Sequence, residues 1–378
     1  MGIFSKSHYI KRLTEEIKKY FGVRHVFLVS SGKAALFLIL QSLKSLSPER
    51  YEVLIPAYTC FSVPSAVVRA GLKVSLCDIE PSTFDFDYKL LEESINENTL
   101  CVIPDHLFGI PSDVERIKNL CRDKDIFVVE DAAQAMGGMY KGKMIGTIGD
   151  VGFFSLGRGK NITSGSGGII VTNSESIAQE IKKNFSRLES PSLTETFKEF
   201  LKSMALSFFI HPSLYWFPAG LPFLKLGETI FCMEFPVKTL SNMQAGLLKD
   251  WQRRLEESNQ IRKENAKYFI KMLGLKTSND AFIPYLRLPI LIEEKELRDR
   301  MCFLSRERGL GISLIYPSAI NKIEQIESQF NGRTFVGSSK IAEKLITMPT
   351  HKFLSEKDKK GIYELFQQCD PIRTIPMG

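Results

Sequence analysis

The stretch IFVVEDAAQAMGGMYKGKMIGTIGDVGFFSLGRGKNITSGSGGIIVT, residues 126–172, decides the fold of this chain. It contains three short apolar runs, IFVV (126–129), VGFFS (151–155) and GIIVT (168–172), each followed by polar or glycine-rich residues. Runs of about four to eight apolar residues with such boundaries are typical of buried strands. The stretch therefore predicts three strands of one sheet, with polar groups in the loops that follow them.

Short apolar runs continue upstream of that stretch and alternate with amphipathic segments. Further strands are predicted at 26–29, 52–55, 73–76 and 100–103, and helices at 7–21, 32–43, 62–71, 87–95, 113–122 and 174–186. Strands that alternate with helices favour a mostly parallel sheet covered by helices on both faces. We therefore expect an α/β fold whose large domain holds a seven-stranded, mostly parallel sheet.

The C-terminal part has a less regular pattern. A long helix is predicted from about 242 to 270, a strand at 285–292, and further helices at 294–309 and 355–368. Such a mixture is typical of an α+β arrangement. We predict a large domain over residues 1–245 and a smaller C-terminal α+β domain over residues 246–378.

The composition is that of a soluble globular protein. Of 378 residues, 44% are hydrophobic and 25% charged, which argues against a disordered chain. The net charge of +7 suits small anionic ligands, but no basic block or groove-reading motif indicates nucleic-acid binding. The seven cysteines are scattered without metal-ligand spacing, and no secretory signal is recognised at the N-terminus. We expect reduced thiols, no metal site and a cytoplasmic location.

The segment 200–235 departs from this pattern because it is crowded with aromatic residues and leucines. Prolines and charged residues interrupt it, so it lacks the roughly 20 consecutive apolar residues of a spanning helix. Two interpretations remain open. The segment is either a buried or subunit-interface insertion, or a surface that makes peripheral contact with the inner face of a membrane.

Asp131 is the first candidate functional residue, because the apolar strand IFVV ends in Glu130-Asp131. A carboxylate at the carboxyl end of such a strand is partly buried and needs a positive partner, and a protonated pyridine nitrogen is one. The alternative is a helix N-cap for the residues that follow, since Asp is a favoured cap.

Lys160 is the second candidate, in the glycine-flanked loop after the strand that ends at Ser155. A lysine there can reach back over the edge of the sheet, and Ser155 can donate to a phosphate. The alternative is a solvated surface lysine. The glycines at 165, 167 and 168 favour a functional loop, because glycines permit close backbone approach to a ligand.

A third signal lies at Ser30-Ser31-Gly32, between a predicted strand and helix. Backbone N–H groups at the start of a helix bind anions, although many strand-to-helix turns have this composition. The chain thus has, in order, a phosphate cup, a strand-end aspartate, and a strand-end serine with a lysine five residues on. Pyridoxal phosphate needs this set of groups.

The chain resembles the DegT/DnrJ/EryC1/StrS family of sugar aminotransferases, which have the type I fold of pyridoxal-phosphate enzymes. The matching stretches are VSSGKAAL (29–36), VLIPAYTCFSVPSAVVRAGLKVSLCDIEPSTFDFD (53–87), HLFGIPSDVERI (106–117), FVVEDAAQAMGGMYKGKMIGTIGDVGFFS (127–155) and GKNITSGSGGIIVTN (159–173). The resemblance implies transfer of an amino group, usually from glutamate, to a nucleotide-linked keto sugar by a homodimer.

The resemblance also implies roles for individual residues. Lys160 is expected to hold the cofactor as a Schiff base and to move the proton, and Asp131 to pair with the ring nitrogen. Gln134 is expected at the phenolic oxygen of the cofactor. The phosphate is expected to be held by Ser31, Gly32, Lys33 and Ser155. Substrate contacts are expected from His106, Tyr316 and His351, although a structural role for Tyr316 and His351 is an equal alternative.

Three positions depart from the family pattern. Lys33 replaces the usual threonine after the cup glycine. Cys60 stands where an aromatic residue normally stacks on the cofactor ring, so we predict a ring contact from Cys60 or, in its place, Phe61 or Tyr58. Val237-Lys238-Thr239 replaces an Asn-Tyr-Arg stretch that normally reaches the partner subunit.

Two rival functions use the same fold. A sugar dehydratase keeps the cofactor, but related dehydratases replace the lysine with histidine, whereas Lys160 is present here. A non-catalytic regulator or membrane-docked scaffold would not need both Lys160 and Asp131. We therefore expect an aminotransferase.

Overall fold

The structure is a computed structural model that describes residues 8–209, 229–275, 281–330, 332–370 and 373–376. The strands are His25–Val29 (β1), Glu52–Pro56 (β2), Lys73–Cys77 (β3), Thr99–Val102 (β4), Phe127–Asp131 (β5), Met139–Tyr140 (β6), Lys143–Met144 (β7), Val151–Ser155 (β8), Gly168–Thr172 (β9), Ala281–Phe282 (β10), Leu288–Ile292 (β11), Leu345–Met348 (β12) and Arg373–Thr374 (β13). The helices are His8–Phe21 (α1), Gly32–Leu46 (α2), Ser62–Arg69 (α3), Tyr88–Ser94 (α4), Val114–Cys121 (α5), Glu175–Phe185 (α6), Leu193–Phe209 (α7), Asn242–Leu247 (α8), Trp251–Met272 (α9), Lys295–Arg308 (α10), Val336–Lys344 (α11) and Glu356–Cys369 (α12).

Seven strands form the main sheet, in the spatial order β1-β9-β8-β5-β4-β2-β3. From β8 to β3 every neighbouring pair is parallel, whereas β9 is antiparallel to both β8 and β1. The mostly parallel seven-stranded sheet predicted from the sequence is confirmed. The antiparallel direction of β9 follows from its short connection to β8, which contains no crossover helix.

Side chains alternate between the two faces of this sheet, and both faces are buried. Val53, Val129 and Phe153 pack with α2, α3 and α6 on one face. On the other face, Val128 packs with α5 and α9, and Phe154 packs with α1 and α9. Because both sides of the strands are covered by helices, the strands consist of nearly continuous apolar residues.

A second sheet lies in the C-terminal part, with the order β12-β11-β13 and antiparallel pairing throughout. Helices α10, α11 and α12 belong to the same part of the chain. A third small sheet joins β10 to the β6–β7 hairpin. The division of the chain at residues 245 and 246 stays a prediction.

The helix predicted from 242 to 270 is two helices. α8 ends at Leu247 and α9 begins at Trp251. Asp250 between them adopts a left-handed backbone conformation, with φ of +56°. A continuous right-handed helix cannot contain that conformation, so the chain changes direction here.

Part of the segment 200–235 lies outside the described residues, namely 210–228. For those residues, the two interpretations, a subunit-interface insertion and a membrane contact, stay predictions. In the described remainder, α7 extends to Phe209, and the chain resumes at Thr229. Among the helices that the structure describes, none combines the length and the apolar character that crossing a membrane requires.

One buried carboxylate joins the main sheet to the C-terminal part. Asp78, directly after β3, accepts hydrogen bonds through Oδ1 from the N–H of Ser338 at 2.8 Å and from its hydroxyl at 2.6 Å. Its Oδ2 accepts from the N–H of Gly337 at 2.8 Å. Asp78 thus caps the first turn of α11, whose unpaired N–H groups and positive dipole end favour an anion.

Asp78→Ala should lower the free energy of unfolding by about 2–3 kcal/mol, because the first N–H groups of α11 would lose a charged acceptor. Urea denaturation followed by circular dichroism measures the change. Asp123→Ala is the matched control, since Asp123 is exposed and should leave stability nearly unchanged. Equal stability of the two variants would contradict the assigned role.

Candidate active site

The candidate site lies where three neighbouring strands end. β4, β5 and β8 are parallel, so their carboxyl ends meet at one edge of the sheet. β5 ends at Asp131 and β8 at Ser155. Beyond the end of β4, Asp105 pairs with Asp131 in an isolated parallel bridge. Ligands of open α/β sheets bind at such edges.

Asp131 is buried, with 4% of its surface exposed. Its Oδ1 accepts a hydrogen bond from the N–H of Ala133 at 3.0 Å. Burial raises the pKa of Asp131, whereas the Ala133 N–H and the Lys160 ammonium act in the opposite direction. Residues 132–138 form turns rather than a helix, so Asp131 is not a helix N-cap.

Asp105 is a second buried carboxyl group beside Asp131. Its Oδ2 accepts a hydrogen bond from the hydroxyl of Thr59 at 2.6 Å. Its Oδ1 is buried and has no hydrogen-bond partner. Burial and, secondly, the neighbouring Asp131 raise the pKa of Asp105 well above its ordinary value. A buried oxygen without a protein partner is available for a hydrogen bond with a ligand.

Lys160 lies in the loop between β8 and β9, and its side chain is partly buried. The loop turns at Gly159, which has a φ of +75°. The N–H of Lys160 donates to the carbonyl oxygen of Gly157 at 3.3 Å. Its ammonium group is close enough to lower the pKa of both Asp105 and Asp131. The partly buried lysine therefore lies near the carboxyl pair, which favours the functional interpretation over a solvated surface side chain.

The residues of the predicted phosphate cup come together where the start of α2 meets the end of β8. Ser31 is the N-cap of α2, and its Oγ accepts from the N–H of Ala34 at 3.1 Å. A Cβ atom on Gly32 would lie 3.1 Å from Cβ and 3.3 Å from Oγ of Ser155. A Cβ atom on Gly168 would lie 2.3 Å from the carbonyl oxygen of Ser31. Glycine is required at position 168, where the backbone of Ser31 approaches this closely, and a side chain at position 32 would press on Ser155.

The side chain of Lys33 lies against an aromatic ring. Its Nζ is 4.9 Å from the centre of the Phe235 ring, a distance that permits a cation–π interaction. The backbone N–H of Lys33, in the first turn of α2, remains suited to an anion. A contact between Lys33 and a phosphate stays a prediction, and the geometry supports it through the backbone.

Gln134 and Tyr316 come together although 182 residues separate them. Nε2 of Gln134 donates to the hydroxyl of Tyr316 at 2.9 Å, and Oε1 accepts from the N–H of Phe108 at 3.3 Å. The Tyr316 ring makes an edge contact with Tyr58, with 5.6 Å between the ring centres. Burial raises the pKa of Tyr316 well above its ordinary value, and the adjacent Cys60 adds to this effect.

His106 is fully buried and has a structural environment. Its Nδ1 accepts from the N–H of Ser112 at 3.1 Å, so its Nε2 carries the hydrogen and donates to Glu130 at 3.1 Å. Glu130 also accepts from the N–H of Gly146 at 2.8 Å and from those of Ile148 and Gly149. Both ring nitrogens of His106 are thus occupied, which disfavours the predicted direct contact with a substrate.

His351 lies among residues of the C-terminal part. Its backbone carbonyl accepts from Asn265 at 3.4 Å, and its ring is 6.0 Å from that of Phe353. Burial and, secondly, the positive charges of Arg262 and Arg287 lower the pKa of His351 to about 4. Within the described ranges, no group of three His, Cys, Asp or Glu side chains is placed to hold a metal ion.

Comparison with known proteins identifies the family. The sequence profile of the DegT/DnrJ/EryC1/StrS aminotransferase family matches residues 1–367. The chain belongs to this family. The resemblance read from the sequence motifs is confirmed.

Curated members of the DegT/DnrJ/EryC1/StrS family are similar over part of their length. The GDP-perosamine synthase of Escherichia coli O157:H7 is 35% identical over 175 residues, which are 46% of this chain and 48% of that protein. The L-glutamine:2-deoxy-scyllo-inosose aminotransferase of Streptoalloteichus tenebrarius is 28% identical over 264 residues, 70% of this chain and 56% of that protein. The chain spans about half the length of the curated relatives it matches.

Solved structures support the fold along nearly the whole chain. Helicobacter pylori PseC, an aminotransferase involved in the biosynthesis of pseudoaminic acid, has a TM-score of 0.78 and 18% sequence identity. The match covers 96% of this chain and 91% of that one. At this identity the likeness establishes the fold, and the type I fold expected from the sequence is confirmed.

The residues of the DegT/DnrJ/EryC1/StrS pattern were predicted from the sequence, whereas Asp105, Thr59 and Glu130 were not. Asp105 follows the predicted strand LCVI and one proline, so its position just after an apolar strand, like that of Asp131, indicated a candidate carboxyl group. Glu130 immediately precedes Asp131, and the sequence gives no sign that these two carboxyl groups have different surroundings. Thr59 gave no signal of its own, because only the fold brings its hydroxyl to Asp105.

The lowered pKa of His351 predicts acid sensitivity in this family member. The folded state favours the neutral ring, so the stability it contributes is present above pH 6.5 and is lost as the pH falls toward 4. Between pH 7 and 4, the free energy of unfolding should fall more in the wild type than in His351→Asn, by up to roughly 3 kcal/mol. Urea denaturation at each pH measures the difference, and parallel curves would refute the prediction.

Proposed function

We propose that this chain is a pyridoxal-phosphate-dependent aminotransferase that moves an amino group from an amino acid, L-glutamate first among the candidates, to a nucleotide-linked keto sugar. The observation that carries the proposal is the arrangement at the sheet edge. The Lys160 ammonium faces the buried Asp131 carboxyl group, and an anion cup lies at the end of the adjacent strand. The names of the relatives, which include a GDP-perosamine synthase and an L-glutamine:2-deoxy-scyllo-inosose aminotransferase, support the proposed acceptor class.

The residues present fit this cofactor. Asp131 is buried and suited to a cationic ring nitrogen, while Oδ1 of Asp105 is buried without a partner. The cup at Ser31, Gly32 and Ser155 provides hydroxyl and N–H donors for a phosphate. When bound, pyridoxal phosphate supplies an aldehyde that reacts with amines and a ring that withdraws electrons.

Each protein group has a distinct task in the proposed reaction. Asp131 provides a negative charge that keeps a ring nitrogen protonated. Lys160 would hold the cofactor through Nζ and, once the amino donor takes its place there, the free Nζ would accept and return a proton. Gln134 is held in place by Tyr316 and Phe108, which fixes its side chain beside the site. Ser31, Gly32 and Ser155 would hold the phosphate at the sheet edge.

The area beside Tyr58, Cys60 and Tyr316 is the proposed ring-contact and acceptor region. The two tyrosine rings are buried and in edge contact, and Cys60 is close to Tyr316. Aromatic rings and a polarisable sulfur both suit contact with a flat heterocycle. His351 is the remaining candidate for a substrate contact, since its Nδ1 is buried without a partner.

Borohydride reduction tests the cofactor assignment directly. Purified protein incubated with pyridoxal phosphate should acquire a stable tag on the peptide that contains Lys160, detected by mass spectrometry. Lys160→Ala should lose the tag and the visible absorption, and amino transfer from L-glutamate should fall about 1000-fold or more.

Lys141→Ala is the control, because Lys141 is an exposed lysine in the β6–β7 turn, away from the sheet edge. It should keep both the tag and the absorption. A tag absent from position 160 in the wild type would overturn the proposal.

We further propose that the chain pairs with a second copy and that α7 contributes to the contact. Apolar side chains recur on α7 at helical spacing and are exposed: Leu193 is 75% exposed, Phe197 60%, Leu201 45% and Met204 54%. An exposed apolar face of this extent favours association with another surface. The alternative occupant is the inner face of a membrane, in which case the protein is peripheral to it.

Phe197→Ser combined with Leu201→Ser should shift the molar mass from that of a dimer toward that of a monomer, because the exposed apolar area decreases. Light scattering after gel filtration measures the mass. Lys198→Ser on the same helix is the control and should remain dimeric. An unchanged dimer, with co-sedimentation of the wild type on anionic vesicles that the double variant loses, would favour the membrane alternative.

A further inference from the structure

The protonation states of Asp105 and Asp131, the two carboxyl groups at the sheet edge, depend on each other. Asp105 and Asp131 are both buried and pair in a parallel bridge, with the backbone N–H of Asp131 bonded to Pro104 and that of His106 bonded to Asp131. In a parallel bridge, directly paired residues point to the same side of the sheet. Two ionised carboxylates at such a position repel each other and lack hydration, so one of them tends to retain its proton.

The ionisable groups that face Asp105 come from three other elements. They are Asp131 on β5, Lys160 in the loop after β8, and Tyr316 after α10. Lys160 can balance one negative charge, and Tyr316 is buried and carries no charge at neutral pH. The adjacent His106 is engaged by Ser112 and Glu130. The surroundings therefore favour one carboxylate rather than two.

Hydrogen bonding distinguishes the two members of the pair. Oδ1 of Asp131 accepts from a backbone N–H, which stabilises its ionised form. Asp105 has a hydroxyl donor on Oδ2 but none on Oδ1. An Oδ1 that carries a proton is a donor, and because no protein acceptor engages it, that donor is available to a ligand.

We infer that Asp105 is a carboxylic acid, protonated at neutral pH, which leaves a single negative charge on Asp131. The inference rests on the proposed function and deepens it, because it makes Asp105 a positioning residue of the cofactor site. Asp131 alone presents charge to a ring cation, and the neutral Asp105 beside it offers a hydrogen-bond donor. Burial and the neighbouring carboxylate keep a carboxyl group neutral in this way.

Infrared spectroscopy of the cofactor-free protein tests the protonation state. The wild type at neutral pH should show the carbonyl band of a protonated carboxyl group, and Asp105→Asn should lose it. Asp123→Asn, with an exposed carboxylate, is the control and should keep the band. Absence of the band from the wild type, or its persistence in Asp105→Asn, would overturn the inference.

The pH dependence of stability gives a second readout. A carboxyl group with a raised folded-state pKa stabilises the protein below its unfolded-state pKa and loses that effect as the pH rises. The Tm of cofactor-free Asp105→Asn should therefore exceed that of the wild type by a margin that widens between pH 5 and 8, to about 4 °C. A constant margin would contradict the inference.

Borohydride tagging separates this inference from the proposed function. Asp105→Asn should retain the tag on Lys160, whereas Asp131→Asn should lose most of it, because only Asp131 pairs with the ring. A wild type without any tag would overturn the proposed function, while the infrared band would still report on Asp105. Loss of the tag in Asp105→Asn with retention in Asp131→Asn would show that the two roles are exchanged.

Discussion

The parallel pairing of β4, β5 and β8 is the constraint on which the candidate site depends. Parallel strands of one sheet end on the same side, so residues from three separate parts of the chain reach one edge. Asp105, Asp131 and Ser155 meet there without any local sequence relation among them. The loop after β8 then returns Lys160 to the same edge, because β9 runs antiparallel to β8 and pairs directly with it.

Buried Glu130 connects the backbone segments at this edge through hydrogen bonds. Its two carboxylate oxygens accept from His106 and from three backbone N–H groups of the loop that precedes β8. A buried charge is stable only when such partners satisfy it. Since Glu130 adjoins Asp131 in the chain, the same network that satisfies Glu130 fixes the backbone from which Asp131 extends. Preorganised groups of this kind lose little freedom when a ligand binds.

Charge is distributed unevenly around the edge. The carboxyl pair lies near Lys160, and the N-terminus of α2, with its N-cap Ser31, lies against the end of β8. A ligand with an anionic group at one end and a cationic ring at the other matches this distribution. The tyrosines Tyr58 and Tyr316 add buried aromatic surface beside it. Glycine is needed at position 168, where a Cβ atom would lie 2.3 Å from the carbonyl oxygen of Ser31.

The amino-acid sequence by itself determined the seven strands of the main sheet, most of the helices around it, and the residues of the family pattern, including Lys160 and Asp131. These features follow from local periodicity and from motifs that occupy a few consecutive positions. Only the tertiary structure decided that Asp105 stands beside Asp131, that Tyr316 holds Gln134, that the Lys33 side chain packs on Phe235, and that His106 is engaged by Glu130. The chain likewise breaks its long helix at Asp250, where the backbone turns left-handed. The physical reason is that contacts between residues far apart in the chain depend on how the layers pack, and no local pattern encodes that packing.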